Sequence, residues 1–300
     1  MIPIERKPDW LKIKLPQGDD FQNIKLKLKE RGLHTVCVEA NCPNLGECWD
    51  ARTATIMILG DTCTRGCRFC HVKTGNPRGL VNALEINNTA EMVGLMNLRY
   101  VVLTSVDRDD LPDHGAGHFA SVIDKIRDIH PDTRVEALVP DFDAVPERMD
   151  ILAGSKPFVV AQNMETVKRL THKVRDIRAG YEKTLKCLEY YKSIHQMRTK
   201  TSLMVGLGET LEEISQTLDD LRAVGTDLIT FGQYLQPTKK HLPVERYYSP
   251  EEFKGLKKLA YKKGFKFAAS GPLVRSSYKA ADYLDFTEGK MSADMLEYSL

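Results

Sequence analysis

The segment "ATIMILGDTCTRGCRFCHVKTG", residues 54–75, joins an apolar run to three closely spaced cysteines. Its first residues are mostly apolar or β-branched, which favours a buried strand. Cys63, Cys67 and Cys70 follow with the spacing C-x3-C-x2-C. Three thiolates are one fewer than a closed tetrahedral metal site uses. The segment therefore predicts a strand followed by a metal centre with one position left open.

Five further runs of the same apolar, β-branched character follow, at residues 100–105, 134–140, 158–163, 201–207 and 227–233. Amphipathic segments separate them, and "TLEEISQTLDDLRAVG" begins with a capping-box pattern at Thr210 and Glu213. Apolar strands that alternate with helices predict a parallel sheet covered by helices. Six strands favour an α/β fold of the incomplete (β/α)6 barrel type over a complete eight-stranded barrel.

Three segments follow from this pattern. Residues 1–52 carry little strand signal and form an N-terminal extension, residues 53–235 form the partial barrel, and residues 236–300 form a C-terminal extension. The second cysteine group lies in the first extension, and the tetrapeptide "RSSY" lies in the last.

Composition excludes several function classes. The 300 residues carry a formal charge of only +2, which does not indicate a nucleic-acid partner. No apolar run approaches the roughly 18 residues of a membrane span, and "MIPIERKPDW" lacks the apolar core of a secretory leader. We therefore expect a cytoplasmic protein without a membrane partner, in which seven cysteines bind metal or act in catalysis rather than form disulfides.

A second trio, Cys37, Cys42 and Cys48, has the spacing C-x4-C-x5-C, whereas Cys187 stands alone in a helical pattern as an ordinary packed thiol. One interpretation is a zinc site at each trio, with His71 as a further ligand at one of them. Two trios of unlike spacing fit two 4Fe–4S clusters better, because each iron takes one external ligand.

The C-x3-C-x2-C motif on the loop after the first strand of a partial barrel resembles the radical S-adenosylmethionine superfamily. The resemblance implies that S-adenosyl-L-methionine chelates the open iron through its amino and carboxylate groups. Electron transfer from the cluster would then cleave the sulfonium and release a 5′-deoxyadenosyl radical. The site would lie at the carboxyl ends of the strands, as in other barrels.

Further blocks resemble the lipoyl synthase family in the same order, from about residue 30 to about residue 280. They are "CVEANCPNLGEC", "YVVLTSVDRDDLPDHGAGHFA", "NMETVKRL", "LMVGLGET", "FGQYLQPTKKHLPVERY" and "GPLVRSSYKA". One departure is "VAQNMET", in which Ala161 and Gln162 stand where the family usually has Phe-Asn-His before the Asn-Met/Ile/Val-Glu-Thr block.

This resemblance implies insertion of two sulfur atoms, at carbons 6 and 8 of an octanoyl chain linked to a lysine of a carrier domain. The cluster at Cys63, Cys67 and Cys70 would generate two radicals in succession, and the cluster at the second trio would supply the sulfur. The family's Arg-Ser-Ser-Tyr signature implies that Ser277 is the fourth ligand of the second cluster. A polar turn is the alternative role for this serine.

The implied partners are octanoylated carrier domains, such as the glycine cleavage H protein and the acyltransferase subunits of 2-oxoacid dehydrogenases. An electron donor such as flavodoxin or ferredoxin and an iron–sulfur carrier complete the set. Two other classes stay open at this point. One is a different two-cluster radical enzyme, such as a methylthiotransferase or a biotin-synthase-like enzyme, and the other is a non-catalytic iron–sulfur or zinc scaffold.

Candidate contacts for S-adenosyl-L-methionine lie at strand ends. They are Thr104, Ser105 and Asp107 at the end of the second strand, Asn163 and Glu165 at the end of the fourth, and Gly206 and Gly208 at the end of the fifth. Each has a structural alternative: a helix cap, an Asx-turn, or a strand-to-helix turn that requires glycine. His114, His118 and His241 are interpreted as structural or surface residues.

Overall fold

The computed structural model describes residues 7–11, 26–28, 30–35, 49, 52–278 and 280–290. Its main sheet contains eight strands: β1 His34–Thr35, β2 Thr53–Ile58, β5 Tyr100–Ser105, β6 Arg134–Leu138, β7 Val159–Ala161, β8 Thr199–Val205, β9 Leu228–Gln233 and β10 Phe267–Gly271. In the sheet, each of these strands lies beside the one that precedes it and the one that follows it in this series. β1 is antiparallel to β2, and the other seven strands run parallel. Two short strands, β3 Thr62–Cys63 and β4 Lys73–Thr74, form a separate ladder.

Helices connect the parallel strands. They are α1 Glu85–Leu95, α2 Ala116–Ile129, α3 Pro146–Gly154, α4 Thr171–Val174, α5 Tyr181–Ser193, α6 Leu211–Ala223, α7 Pro250–Lys262 and α8 Ala280–Thr287. Short 3₁₀ turns occur at Asp9–Leu11, Phe142–Ala144 and Lys168–Leu170. Within the described ranges, no helix is long and apolar enough to cross a membrane.

The capping pattern of α6 is confirmed. Thr210 Oγ1 accepts a hydrogen bond from the Glu213 N–H at 3.2 Å, and Glu213 Oε2 accepts one from the Thr210 N–H at 2.9 Å. Ser249 and Glu252 form the same reciprocal pair at the start of α7. These bonds satisfy N–H groups that the first turn of a helix leaves free, and they fix where each helix begins after its strand.

The predicted α/β fold is confirmed. All six predicted strands are present, and apolar side chains on one face of the sheet, such as Val101, Leu103 and Val135, pack beneath the connecting helices. No pairing between β1 and β10 is present among the described strands, so the sheet is open. An open parallel sheet with helices on its outer face is compatible with a partial barrel.

The sheet has a seventh parallel strand, β10, which the sequence pattern did not predict. It reads "FAASG" and pairs with β9 from Phe267 opposite Leu228 to Gly271 opposite Gly232. Its small residues lack the β-branched character by which strands are recognised. The predicted segment boundary at residue 235 stays a prediction, although the sheet continues beyond it.

The inner face of the sheet is covered at one end by the C-terminal helix. Tyr100 and Val102 of β5 cluster with Ala280, Ala281 and Leu284 of α8. The guanidinium of Arg99 also forms two hydrogen bonds of 2.6 Å with the carboxylate of Asp285. Helix α8 therefore fills the side of β5 that the connecting helices leave uncovered.

A buried charge pair lies on the same inner face. Lys200 Nζ of β8 is 2.8 Å and 3.0 Å from the two carboxylate oxygens of Glu136 in β6, and both side chains are almost fully buried. The Tyr100 hydroxyl donates to Glu136 Oε2 at 2.9 Å. Burial, with Glu136 adding to it, raises the pKa of Tyr100 well above its usual value.

We expect Lys200→Met to lower the free energy of unfolding by about 3–5 kcal/mol, because it leaves the Glu136 carboxylate buried without its cation. The double variant Lys200→Met/Glu136→Gln should recover most of this loss, since the introduced amide carries no charge and its oxygen still accepts from Tyr100. Urea denaturation measures all three proteins. Equal destabilisation in the single and double variants would show that the charge pair is not the cause.

Candidate metal centre

The three cysteines of the first motif lie on a loop whose two ends are paired. The loop follows β2, and the β3–β4 ladder places Thr62 opposite Lys73 and Cys63 opposite Thr74. The Gly75 N–H also donates to the Cys63 carbonyl at 2.9 Å. The ladder closes the base of this cysteine loop, residues 63–74, at the carboxyl end of β2, where sites in parallel α/β folds form.

Arg65 anchors the cysteine loop from within. Its side chain is only 3% exposed, and it forms two hydrogen bonds of 2.7 Å and 2.9 Å with the Asp141 carboxylate. It forms further bonds of 2.7–3.2 Å with Asp109 and lies 3.3 Å from Asp107. Paired bonds of this kind fix the orientation of a planar guanidinium. Arg65 therefore fastens the loop to the segments that follow β5 and β6.

The carboxylates around Arg65 differ in their acidity. Burial raises the pKa of Asp107 to about 6, although Arg65 opposes this shift. Burial has the same tendency at Asp109, but hydrogen bonds from Arg65 and Thr64 outweigh it and lower the pKa of that carboxyl to about 2. Asp109 is therefore a fixed anion at neutral pH, and Asp107 titrates much closer to neutrality.

The three thiols are partly buried and have raised pKa values. Burial, followed by the nearby Asp107 carboxylate, raises the pKa of Cys63 to about 12, and burial raises the pKa values of Cys67 and Cys70 to about 11. Cys63 Sγ accepts N–H groups from Arg65 at 3.4 Å and Asp107 at 3.3 Å, and Cys67 Sγ accepts one from Asp176 at 3.3 Å. Backbone donors aimed at sulfur suit thiolate ligands, and a bound cation supplies the positive charge that deprotonates them.

Two further segments hold the outer side of the loop. The Arg68 N–H donates to the Val174 carbonyl at 2.9 Å, and the Leu242 N–H donates to the Arg68 carbonyl at 3.3 Å. His241 Nε2 lies 3.0 Å from the Cys70 carbonyl. The interpretation of His241 as a structural residue agrees with this contact. The sequence did not predict that its partner would be Cys70. No spacing pattern relates residue 241 to residue 70.

Two of the candidate cofactor contacts carry buried polar atoms without a partner. Ser105 Oγ and Asn163 Oδ1 have no hydrogen-bond partner among the described residues, whereas Asn163 Nδ2 donates to Glu165 Oε1 at 3.0 Å. Buried polar atoms normally have partners. The unsatisfied atoms therefore fit a polar ligand bound beside β5 and β7. Burial raises the pKa of Glu165.

The other candidate contacts take part in the structure of the protein itself. Thr104 lies in β5. Asp107 forms an ion pair with Arg65, and its carboxylate accepts a hydrogen bond from the Cys63 thiol at 3.7 Å. Gly206 and Gly208 have φ angles of 100° and 101°, which favour glycine. A Cβ at Gly206 would lie 2.6 Å from the Arg246 carbonyl oxygen. The turn alone therefore accounts for glycine at residue 206, and a contact with adenine stays a prediction.

The second cysteine trio, Cys37, Cys42 and Cys48, lies outside the described residues. Ser277 is described and is half-buried in the turn before α8. A Cβ on Gly232 would collide with the Val274 carbonyl oxygen, so the segment that leads to Ser277 packs closely on the end of β9. Cys187 is a packed thiol of α5, as expected, and its thiol donates to the Asp141 carbonyl at 3.2 Å.

No three His, Cys, Asp or Glu side chains within the described ranges lie close enough to chelate one metal ion. A 4Fe–4S cluster has a different requirement, since each iron takes its own external ligand. The donor set of three thiols on one anchored loop, with the unpartnered polar atoms of Ser105 and Asn163 at neighbouring strand ends, fits such a cluster.

This fold and site define a radical SAM protein. The model of the radical SAM superfamily matches residues 57–221. The solved structure of methylornithine synthase has a TM-score of 0.55 at 11% identity and covers 82% of this chain and 74% of its own. Streptococcus suis SuiB bound to S-adenosylmethionine has a TM-score of 0.55 at 13% identity and covers 84% of this chain and 55% of its own. These likenesses show the fold.

The chain belongs to the lipoyl synthase family. It is 57% identical to the lipoyl synthase of Ectopseudomonas mendocina, over 92% of this chain and 79% of the relative. It is 55% identical to that of Thermus thermophilus, over 93% and 87%. The model of the N-terminal domain of lipoyl synthase matches residues 4–42. The expected enzyme class, a radical SAM enzyme that inserts sulfur, is thereby confirmed, together with its S-adenosyl-L-methionine and one 4Fe–4S cluster.

We expect Arg65→Met to lower the free energy of unfolding by about 3–5 kcal/mol, because it leaves the buried Asp141 carboxylate without its cation. Iron bound at the cysteine loop after anaerobic reconstitution should fall as well. Arg178→Met is the matched control, since Arg178 also contacts Asp109 but is 46% exposed. Its cost should stay below about 1 kcal/mol. Urea denaturation compares the two variants, and equal losses would contradict the anchoring role.

Proposed function

We propose that Cys63, Cys67 and Cys70 hold the 4Fe–4S cluster that cleaves S-adenosyl-L-methionine in this enzyme. The observation that carries the proposal is the anchoring of the cysteine loop by Arg65. This anchoring holds the three thiols at the carboxyl ends of β2 and β5, the end at which barrel enzymes act. When bound, the cluster and cofactor supply a carbon-centred radical that removes hydrogen from an unactivated carbon.

The chain's own residues then bind and orient the cofactor. Ser105 Oγ and Asn163 Oδ1 offer unsatisfied polar atoms, and Glu165 is held by the Asn163 amide. Glu165 and Asn163 are therefore proposed to reach the ribose hydroxyls. Thr104, Ser105 and Asp107 are proposed for the cofactor's amino group, and Asp107 is fixed in place by Arg65. Gly206 and Gly208 are proposed to lie near the adenine.

A second 4Fe–4S cluster is proposed at Cys37, Cys42 and Cys48, with Ser277 as its oxygen ligand and with its sulfide as the source of inserted sulfur. The match of residues 4–42 to the lipoyl synthase N-terminal domain supports a specialised role for this arm. A hydroxyl is a weaker ligand for iron than a thiolate. Such a ligand suits a cluster that gives up sulfur during turnover.

The substrate follows from the family. Lipoyl synthases act on octanoylated lipoyl carrier domains, and we propose the H protein and the 2-oxoacid dehydrogenase acyltransferases as the particular carriers. Two further partner proteins are proposed. They are flavodoxin or ferredoxin as the electron donor, and an iron–sulfur carrier protein that restores the second cluster. The proposed location is the cytoplasm, where thiol ligands stay reduced.

We expect Cys63→Ala to abolish 5′-deoxyadenosine formation in an anaerobic assay with dithionite, S-adenosyl-L-methionine and an octanoyl-lysine peptide. The variant lacks one of the three thiolates that leave a single iron open. Cys187→Ala is the control, because this buried thiol lies outside the loop, and the variant should retain cleavage. Normal product from Cys63→Ala would reject the assignment of the cysteine loop.

We expect Ser277→Ala to retain cleavage of S-adenosyl-L-methionine but to form little doubly thiolated peptide, because the second cluster loses its oxygen ligand. Ser276→Ala, the adjacent serine in the same turn, should be milder. Mass spectrometry of the peptide measures sulfur insertion, and iron analysis measures cluster content. Full insertion with about eight irons per chain in Ser277→Ala would show that the oxygen ligand comes from elsewhere.

A further inference from the structure

Three chain segments that include the cysteine loop and the residues that contact its outer side contain basic residues but no acidic ones. The segments 62–84, 166–175 and 234–244 have no Asp or Glu, although 41 acidic residues are spread over the chain. Their basic residues are Arg65, Arg68, Lys73, Arg78, Lys168, Arg169, Lys173, Arg175, Lys239 and Lys240. Acidic residues flank the three segments at Asp61, Glu85, Glu165, Asp176 and Glu245, so the excess of positive charge is confined to the segments themselves.

The three segments meet at the turn that contains Cys67 and Cys70. Arg68 joins two of them, since its side chain donates to the Lys173 carbonyl at 3.4 Å and its own carbonyl accepts from Leu242 at 3.3 Å. His241 adds a further contact through the Cys70 carbonyl. These contacts bring segments with basic residues that are far apart in sequence to the outer side of the cysteine loop.

Five of these basic side chains, Arg68, Lys73, Arg78, Lys239 and Lys240, are exposed and form no ion pair among the described residues. Three of the five, Arg68, Lys239 and Lys240, lie beside the turn that contains Cys67 and Cys70. Their neighbours differ, because Lys168, Arg169 and Lys173 pair with Glu182, Glu213 and Glu245. We name Arg68, Lys239 and Lys240 the cationic rim. Its charge is left available to a partner molecule.

We propose that the cationic rim is the docking surface for an acidic one-electron carrier protein that reduces the cluster of the cysteine loop. The proposal rests on the proposed function, because it requires a cluster at Cys63, Cys67 and Cys70. One electron leaves the carrier, which is oxidised, and enters the cluster, which is reduced. Opposite charges on the two surfaces steer the encounter and fix its orientation.

Proximity favours an electron donor over the substrate carrier as the occupant of the rim. Arg68 directly follows Cys67 in the chain, and Lys239 and Lys240 precede the histidine that contacts the Cys70 carbonyl. Electron transfer weakens steeply with distance, so the donor must approach this loop closely. A carrier domain presents its octanoyl chain at the end of a long lysine arm and can dock farther away.

The test compares two reductants in the reconstituted holoenzyme. Reduced bacterial flavodoxin is the protein probe, and dithionite is the small reductant that needs no docking. In Lys239→Glu/Lys240→Glu, flavodoxin-driven 5′-deoxyadenosine formation should be slower by about tenfold or more, while the dithionite-driven rate stays unchanged. Isothermal titration calorimetry should show weaker flavodoxin binding by the variant, a readout that does not depend on turnover.

Lys254→Glu/Lys258→Glu is the matched control, because it makes the same charge change on exposed residues of α7, far along the chain from the cysteine loop. It should leave both rates near wild type. The flavodoxin-driven rate of the wild type should also fall as salt is added, and the rim variant should lose most of this dependence.

Three outcomes would overturn the proposal. They are an unchanged flavodoxin-driven rate in the rim variant, an equal loss with dithionite, and a loss of affinity for an octanoylated carrier domain with flavodoxin binding intact. The last outcome would assign the rim to the substrate carrier. Failure of the proposed function has a separate signature, since the wild type would then form no 5′-deoxyadenosine with dithionite.

Discussion

The contact of Arg65 with its carboxylates is the constraint on which the site depends. A guanidinium that is 3% exposed is stable only when anions surround it, and Asp109 and Asp141 supply them from the loops after β5 and β6. The position of the cysteine loop therefore depends on the alignment of the carboxyl ends of β2, β5 and β6. The site and the sheet share these ion pairs, so a change that weakens the pairs affects both.

The sequence predicts the parts of the fold that are encoded locally. Six strands are recognisable because their apolar, β-branched runs have the required length, and the cysteine loop is recognisable from its spacing. β10 was missed because "FAASG" is made mostly of small residues, which do not indicate a strand by themselves. These residues form a strand here through their pairing with β9. Arg65 stood within the motif, but its partners lie 44 and 76 residues further on, and no local pattern marks such pairs.

Charged side chains are paired on the inner face of the sheet, whereas some on the outer side of the cysteine loop form no ion pair among the described residues. On the inner face of the sheet, Lys200 and Glu136 compensate one another, and α8 covers the end at which they lie. On the outer side of the cysteine loop, Arg68 has no such compensation among the described carboxylates. The same fold thus neutralises charges where water is excluded and leaves them available where a partner protein can approach.

The close approach of Gly232 to the Val274 carbonyl means that the size of residue 232 limits how near the C-terminal segment can lie to β9. A single methyl group at position 232 would push Val274 away from the sheet, and the turn with Ser277 would move with it. The end of β9 and the C-terminal turn are therefore sterically coupled. Any change that enlarges residue 232 must be matched by a shift in the segment that carries Ser277, so substitutions at the two places should appear together.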